Sequence, residues 1–201
     1  MQLATERLLL REFEADDWRA VLGYQNDPRY LRYYDWTGRT EADVRDFVGT
    51  FIAWQRERPR QRYQLAIVLR PEGRLIGNCG IRVNGPDLRE AGIGYKLNPD
   101  YWGRGYATEA ASAIVGFGFD ALALHRIWAC CIAENTASAR VLEKLGFRLD
   151  GRLHERARIK GRWHDTLTYA ILEREWREQR LAPSPDASAG AARQAQATAA
   201  Q

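Results

Sequence analysis

Apolar and polar residues follow two different periods along this chain, and together they predict an α/β domain. From Thr40 to Glu57 the apolar residues recur at the i, i+3, i+4, i+7 spacing of an amphipathic helix, and Thr40 and Asp43 are spaced as a capping box at its start. By contrast, "YQLAIVLR", "RLIGNCGIRV" and "EAGIGYKL" are short apolar runs separated by turn residues. These runs predict three consecutive antiparallel strands.

The pattern continues on both sides of these strands. "ERLLLREF" predicts an opening strand, followed by a helix that ends near Asn26. After the three strands we expect a helix over 108–121, a strand at "HRIWACCIA", a short helix at "NTASARVLEKLGF" and a closing hairpin. The resulting order β-α-α-β-β-β-α-β-α-β-β describes a mixed α/β sheet in one domain, residues 1–180. Residues 181–201 have almost nothing to bury, and we expect a disordered tail.

Composition and charge narrow the class of protein. Of the 201 residues, 45% are hydrophobic, which suffices for one sizeable core. The formal charge of +4 and the pI near 9.1 are a mild bias, compatible with a phosphate-bearing ligand or an acidic partner. They do not form the concentrated basic stripe of a nucleic-acid-binding protein, so nucleic acid is not expected as a partner.

The three cysteines indicate a reducing environment. Cys79, Cys130 and Cys131 have neither the pattern of a disulfide framework nor the spacing of metal ligands, so we expect buried, reduced thiols, a cytoplasmic location and no metal site. Charge interrupts the N-terminal "MQLATERLLLREFE", which is therefore no secretory signal. The longest apolar stretch, "ASAIVGFGFDALAL", is too short to predict a membrane span.

The segment "YWGRGYATEA" predicts an anion site. Gly103 and Gly105 leave the backbone bare where a helix begins, and the first turn of a helix has unpaired N–H groups and the positive end of the dipole. A phosphate could bind those amides, with Arg104 adding a positive charge. A glycine turn that only links a strand to a helix remains an alternative for this segment alone.

Two further segments carry candidate chemistry. Asn135 and Ser138 would lie at the start of a helix next to the glycine loop, although Asn135 could be only a helix cap and Ser138 only a small surface residue. Gly92 and Gly94 interrupt a predicted strand, which often indicates a bulge or the close approach of a ligand. If that strand diverges from "HRIWACCIA", unpaired peptide groups would suit an extended, amide-bearing ligand such as a pantetheine arm.

These segments resemble the GCN5-related N-acetyltransferase (GNAT) superfamily, and most closely its branch that acetylates N-terminal amines of ribosomal proteins. The resemblance rests on "IGYKLNPDYWGRGYATEA", "ENTASARVLEKLGF" and "GFRLDGRLHERARIKGRWHDTLTYAILEREW", and covers about residues 4–177. It implies a single-domain α/β fold with a mostly antiparallel sheet, whose central strand pair splays apart between flanking helices. It also implies acetyl-CoA as co-substrate, no metal, and an acetyl transfer to a primary amine. A homodimer is compatible with the resemblance, but no sequence feature predicts an interface.

The resemblance assigns the coenzyme site residue by residue. The pyrophosphate loop of the family falls on residues 102–107, where Trp102 departs from the usual Gln or Arg, so its role stays open. Asn135 and Ser138 lie close to the thioester, and Arg140 could reach the phosphate end, although a solvated helix face is the alternative for it. The implied coenzyme-binding residues are Lys96, Leu97, Asn98, Trp102, Gly103, Arg104, Gly105, Tyr106, Ala107, Thr108, Asn135, Ser138 and Arg140.

Candidate catalytic roles follow from the family reaction, in which an amine attacks the acetyl carbon directly. Glu90 is the candidate base, with an exposed edge-strand charge as its alternative, and Ser138, beside Asn135, is the candidate donor to the leaving thiolate. The N–H of Leu97 could hold the tetrahedral oxyanion. An α-amine titrates at roughly 8 and a lysine amine at roughly 10.4, so an α-amine acceptor demands far less of a base.

The acceptor pocket is expected between the loop after the first helix and the closing hairpin. Tyr33, Tyr34, Trp36 and the segment "KGRWHD", with Trp163, are its candidate walls, and arginines of the hairpin could steer an acidic peptide. A peptide or protein N-terminus is therefore the expected acceptor. An aminoglycoside, a polyamine or an amino acid, or a non-catalytic acyl-CoA-binding module, remain alternatives.

Overall fold

Eight strands form one sheet in the order β1-β2-β3-β4-β5-β6-β8-β7 in the computed structural model, which describes residues 1–84 and 89–181. The strands in that part are β1 (Gln2–Ala4), β2 (Leu8–Glu12), β3 (Arg62–Leu69), β4 (Arg74–Val83), β5 (Glu90–Leu97), β6 (Arg126–Ile132), β7 (Arg148–Ile159) and β8 (Arg162–Leu172). The α-helices are α1 (Trp18–Gln25), α2 (Glu41–Trp54), α3 (Tyr106–Asp120), α4 (Thr136–Lys144) and α5 (Glu173–Leu181). The tail expected over 181–201 lies outside the described residues, apart from Leu181 at the end of α5.

Neighbouring strands are antiparallel except for β5 and β6. These two pair in parallel over three residues, from Glu90 opposite Arg126 to Gly92 opposite Trp128. The predicted mixed, mostly antiparallel sheet is thereby confirmed. Because β3, β4 and β5 are joined by short connections, they form the predicted meander.

Helices cover both faces of the sheet, and each face has its own core. One core lies under α3, α4 and α5, and the other lies under α1 and α2. The capping box predicted for α2 is present, since Thr40 Oγ1 accepts from Asp43 N and Asp43 Oδ2 accepts from Thr40 N. Buried residues of the first core include Ile114, Phe119, Ile127, Leu142 and Trp176; those of the second include Tyr24, Tyr30, Val44 and Phe51.

Two elements were not predicted, and each has a weak sequence signal. β1 is only three residues long, too short to display a period of two. α5, "EREWREQRL", buries Trp176 but has no apolar stripe, so its pattern does not indicate a packed helix.

The expectation that all three cysteines are buried was wrong for Cys130. Cys79 and Cys131 are buried, whereas Cys130 is exposed. Side chains alternate between the two faces of a strand, so the adjacent Cys130 and Cys131 of β6 point in opposite directions. Within the described ranges, no helix is long and apolar enough to cross a membrane, and no His, Cys, Asp and Glu side chains group as metal ligands.

Candidate active site

β5 and β6 separate after Gly92 and leave peptide groups of β5 unpaired. Asn98 N donates to Ile76 O at 2.8 Å and Asn84 N donates to Glu90 O at 2.8 Å, so even-numbered residues of β5 direct their peptide groups to β4. The odd-numbered residues 93, 95 and 97 therefore direct theirs towards β6. In the described part of the chain, β5 and β6 have no paired residues beyond Gly92.

The same reasoning applies to β6. Ala133 N donates to Asp165 O at 2.9 Å and Glu173 N donates to His125 O at 3.0 Å, so odd-numbered residues of β6 face β8. The peptide groups of Cys130 and Ile132 face β5 instead. We call the gap lined by the peptide groups of Ile93, Tyr95, Leu97, Cys130 and Ile132 the interstrand cleft.

The glycine loop ends at the start of α3 with free amides. Gly103 and Gly105 have φ of 75° and 81°, a left-handed conformation that costs other residues energy. The first helical bond runs from Glu109 N to Gly105 O at 3.0 Å. Among the described residues, the amides of residues 106–108 therefore have no backbone acceptor, as at any helix start. They form, with the Arg104 amide and charge, a cradle that fits a phosphate group.

Arg7 holds this loop in place and was not predicted. Its Nη1 donates to Arg104 O at 3.0 Å, its Nε donates to Glu109 Oε2 at 2.7 Å, and its guanidinium lies 4.5 Å from the Tyr106 ring centroid. Burial opposes the charge of Glu109, but hydrogen bonds from Thr5 and Arg7 lower the pKa of that carboxyl overall. Since a carboxylate in the first turn would repel a phosphate, its pairing with Arg7 favours anion binding at the cradle.

Trp102 fixes the connection between β5 and the glycine loop. Its Nε1 donates to Leu97 O at 3.0 Å, while the residue as a whole is 48% exposed. Asn98 Oδ1 accepts from Asp100 N at 3.0 Å and caps the short 3-10 turn Pro99–Tyr101. The Leu97 carbonyl is thus occupied, but its N–H still faces the interstrand cleft.

Ser138 lies beside the cleft and contacts Tyr95, which the sequence did not single out. Asn135 caps α4, accepting from Ser138 N at 3.2 Å. Tyr95 Oη lies 2.9 Å from Ser138 O and 3.1 Å from Ser138 Oγ, and burial raises the pKa of this tyrosine. Tyr95 therefore joins β5 to the first turn of α4 on the α3 and α4 face. Arg140 is exposed on the outer face of α4.

Glu90 lies at the closed end of the cleft, away from Ser138. Its carboxylate pairs with Arg126, which also binds Asp150 Oδ2 at 2.6 Å. A Cβ on Gly92 would lie 2.9 Å from the Trp128 ring, so this indole covers the sheet between Glu90 and Gly94. Glu90 and Gly94 are four residues apart on this strand, which corresponds to a distance of about 13 Å. The catalytic role of Glu90 stays a prediction.

The aromatic loop predicted as a wall of the acceptor pocket contacts Glu134 and the β7–β8 hairpin. The Tyr34 and Trp36 rings are tilted against each other with their centroids 4.3 Å apart, and Tyr33 Oη donates to Glu134 O, one residue before Asn135, at 2.9 Å. Asp35 Oδ1 accepts from Lys160 N at 2.7 Å, which joins the loop to the tip of the β7–β8 hairpin.

Trp163 lies apart from this wall, whereas Lys96 contacts it. Trp163 is 57% exposed and, within the residues described, forms no aromatic pair with the wall. Lys96 Nζ lies 5.2 Å from the Tyr34 ring centroid and 5.5 Å from that of Phe47. Burial, with smaller contributions from nearby arginines, lowers the pKa of Lys96 to about 8.

Comparison with known proteins agrees with this geometry. Residues 7–148 match the Acetyltransferase (GNAT) domain family. The chain is 38% identical to the uncharacterized N-acetyltransferase YnaD of Bacillus subtilis over 177 residues, covering 88% of this chain and 99% of YnaD. It is 30% identical over 105 residues to the putative ribosomal N-acetyltransferase YdaF of the same organism, covering 52% of this chain and 57% of YdaF.

A solved structure supports the same assignment. An acetyltransferase (GNAT family) from Bacillus anthracis superposes with a TM-score of 0.76 at 36% identity, covering 87% of this chain and all of that one. Proteins of this family transfer an acetyl group from acetyl-CoA to an amine, which agrees with a phosphate cradle, an amide-lined cleft and a serine beside it. The chain therefore belongs to the GNAT acetyltransferase family and is an acyltransferase.

Proposed function

We propose that this acyltransferase acetylates the α-amine of a peptide or protein N-terminus. The observation that carries the proposal is the interstrand cleft between β5, which leads to the glycine loop, and β6, which leads to Ser138. On the side of α1 and α2 this cleft has free space at Gly94, where a Cβ would meet nothing within 4 Å. The amides of residues 104–108 would hold the coenzyme phosphates. The unpaired peptide groups of the cleft would bind the amides of the pantetheine arm.

The chemistry is a direct transfer. The neutral amine attacks the acetyl carbonyl carbon, a C–N bond forms, the C–S bond breaks, and the amine loses one proton to water or a base. Ser138 donates a hydrogen bond to the departing thiolate, while the N–H of Leu97, which faces the cleft, stabilises the oxyanion. These two groups lie on opposite sides of the cleft.

The surroundings of the cleft favour an α-amine over a lysine amine. Glu90 is paired with Arg126 at the closed end, and a base there would act only through water. An α-amine with a pKa near 8 is already partly neutral at pH 7.5, whereas about one lysine amine in a thousand is. Similarity to YdaF, a putative ribosomal N-acetyltransferase, adds support for a protein acceptor.

The test is an acceptor panel with acetyl-CoA, in which release of free thiol is followed and the products are mapped by mass spectrometry. The panel contains N-terminal peptides, the same peptides with blocked α-amines and an internal lysine, free amino acids, polyamines and aminoglycosides. We expect turnover with the free N-termini. Turnover restricted to a small-molecule class, or to the internal lysine, would contradict the proposal.

A further inference from the structure

The face of the sheet under α1 and α2 has an opening at the cleft. Register pairs Gly94 with Gly80 and Gly92 with Arg82. The Trp128 ring covers Gly92 and the Gln64 side chain covers Gly80, but a Cβ on Gly94 would meet nothing within 4 Å. We call this gap between Trp128, Gln64 and Lys96 the Gly94 opening.

An acceptor would enter the cleft through the Gly94 opening. The opposite face is closed by α3 and α4, and Tyr95 with Ser138 fills it at the cleft. Gly94 is exposed and belongs to the strand whose odd-numbered peptide groups line the cleft. An amine above Gly94 therefore lies next to the groups that would bind the thioester.

Three cations lie around this opening. Lys96 is two residues from Gly94 on the same face, Arg82 donates to Gln64 Oε1 at 3.2 Å, and Arg39 lies over the Trp36 and Phe47 rings at 4.5 and 5.1 Å. Within the described ranges, no carboxylate is among the groups that shift the pKa of Lys96 or Arg82, whereas the pKa of Asp43 is lowered by hydrogen bonds from Thr40 and, to a smaller extent, by the charge of Arg39. Asp35, in the aromatic loop, is bound by the Lys160 amide.

Among the described residues, no carboxylate pairs with the ammonium of Lys96, whose pKa is lowered by burial and by the nearby Arg82 and Arg39. Its ammonium faces two aromatic rings, and the neighbouring Asn78 is engaged with Gln64 at 2.9 Å and Tyr24 at 3.1 Å. Partial burial of a cation without a counter-ion is unfavourable, and an anionic ligand would offset that cost. Such uncompensated charges are typical of binding sites.

We propose that the acceptor carries a carboxylate close to its reactive amine, and that Lys96, assisted by Arg82 and Arg39, binds this carboxylate. The inference rests on the proposed function, since it concerns the acceptor side of the same cleft. The chemistry is that of a peptide with an acidic residue directly after its first residue, or of a free amino acid. A polyamine would bring a second cation towards Lys96 and is disfavoured.

The test compares peptides that differ only at the second residue, Ser-Glu, Ser-Gln and Ser-Lys, with the wild type and with Lys96→Met. We expect kcat/KM of the wild type to be about tenfold higher for Ser-Glu than for Ser-Gln, as for a charge-assisted hydrogen bond, and lowest for Ser-Lys. The Ser-Glu preference should fall to about twofold or less in Lys96→Met. Lys144→Met, which removes an exposed lysine of α4, is the matched control and should keep the preference.

The ratio of kcat/KM for Ser-Glu to kcat/KM for Ser-Gln separates acceptor binding from other effects of the substitution. Any loss of stability or of coenzyme affinity in Lys96→Met affects both peptides alike and cancels in the ratio. Lys96→Arg, which keeps the charge, should retain most of the preference.

The outcomes also separate this inference from the proposed function. Equal kcat/KM for the three peptides, or a preference that persists in Lys96→Met, would overturn the inference while peptide acetylation stands. If only free amino acids turn over, the proposed function fails, and the charge comparison is made with amino acids and their amides. If polyamines are the preferred acceptors, both fail.

Discussion

Tyr95 on β5 and Ser138 on α4 meet beside the interstrand cleft, with Tyr95 Oη 2.9 Å from Ser138 O and 3.1 Å from Ser138 Oγ. Tyr95 has one hydroxyl hydrogen and two acceptors within reach. The hydroxyl donates to Ser138 O, and the close approach of its oxygen to Ser138 Oγ fixes the position of the serine side chain. The contact therefore orients the donor that we propose for the leaving thiolate.

Replacing Tyr95 by Phe removes this contact without changing the packing shape. We expect kcat to fall about tenfold with little change in KM for acetyl-CoA, because a donor acts mainly on the leaving group. Ser138→Ala should cause a similar fall, and the double variant should be little worse than either single one, because both act through one contact. Additive losses would show that the two residues act separately.

Filling the Gly94 opening should block the acceptor without unfolding the protein. Gly94→Val places a β-branched side chain in open space on a strand, which the fold tolerates. We expect kcat/KM for the peptide to fall at least tenfold and the melting temperature to stay within a few degrees of the wild type. Gly151→Val is the control, because its Cβ also meets nothing within 4 Å and β7 is two strands away from β6. Full activity in Gly94→Val would exclude this entry route.

A side chain at Gly105 should weaken coenzyme binding. Its φ of 81° is left-handed, so Gly105→Ala strains the helix start by about 1 to 2 kcal/mol. Relaxation of that strain would move the amides that would hold the phosphates. Calorimetry should show acetyl-CoA binding weakened at least fivefold. Gly23→Ala in α1, where a Cβ meets nothing within 4 Å, should leave it unchanged. Unaltered affinity in Gly105→Ala would contradict the cradle.

Removing the Arg7 clamp should expose the charge of Glu109. Arg7→Met leaves that carboxylate without its cation beside the cradle, and we expect several-fold weaker acetyl-CoA binding. Adding Glu109→Gln should recover part of the loss, because the repulsion of the phosphates is then removed. If the second substitution recovers nothing, the role of Arg7 is limited to holding Arg104 O.

The preference for acidic peptides should depend on pH. Lys96, with a pKa lowered to about 8, is charged at pH 7 and largely neutral at pH 9. The Ser-Glu to Ser-Gln ratio of kcat/KM should therefore fall as pH rises from 7 to 9, with the midpoint moved upwards by the bound carboxylate. Burial raises the pKa of Tyr34, so this side chain stays neutral over the range, and the guanidinium groups of Arg39 and Arg82 leave a residual preference. A ratio that is flat in the wild type would contradict a role for Lys96.

Local signals in the sequence predicted much of the fold. The capping box of α2, the turns between β3, β4 and β5 and the glycine loop are each encoded within a few residues, because they depend on local backbone geometry. The resemblance to known acetyltransferases then supplied the splayed strand pair.

Contacts between distant segments could not be predicted in this way. Arg7 binds the carbonyl of Arg104 across 97 residues, and Tyr95 meets Ser138 across 43. These pairs depend on sheet register and on how helices are set against strands, and no local pattern specifies either. The pairing of Glu90 with Arg126 also depends on the register of two strands 36 residues apart.

Within the described residues, strand pairing between β5 and β6 is limited to three residue pairs, so the sheet consists of two halves joined at one end. A ligand whose amides hydrogen-bond to both strands across the cleft would replace the absent inter-strand hydrogen bonds and make the sheet continuous. The amide hydrogens of Tyr95, Leu97, Cys130 and Ile132 should then exchange with solvent more slowly in the coenzyme complex than in the free protein. Binding of the coenzyme should therefore make the whole sheet more rigid, because it joins the two halves.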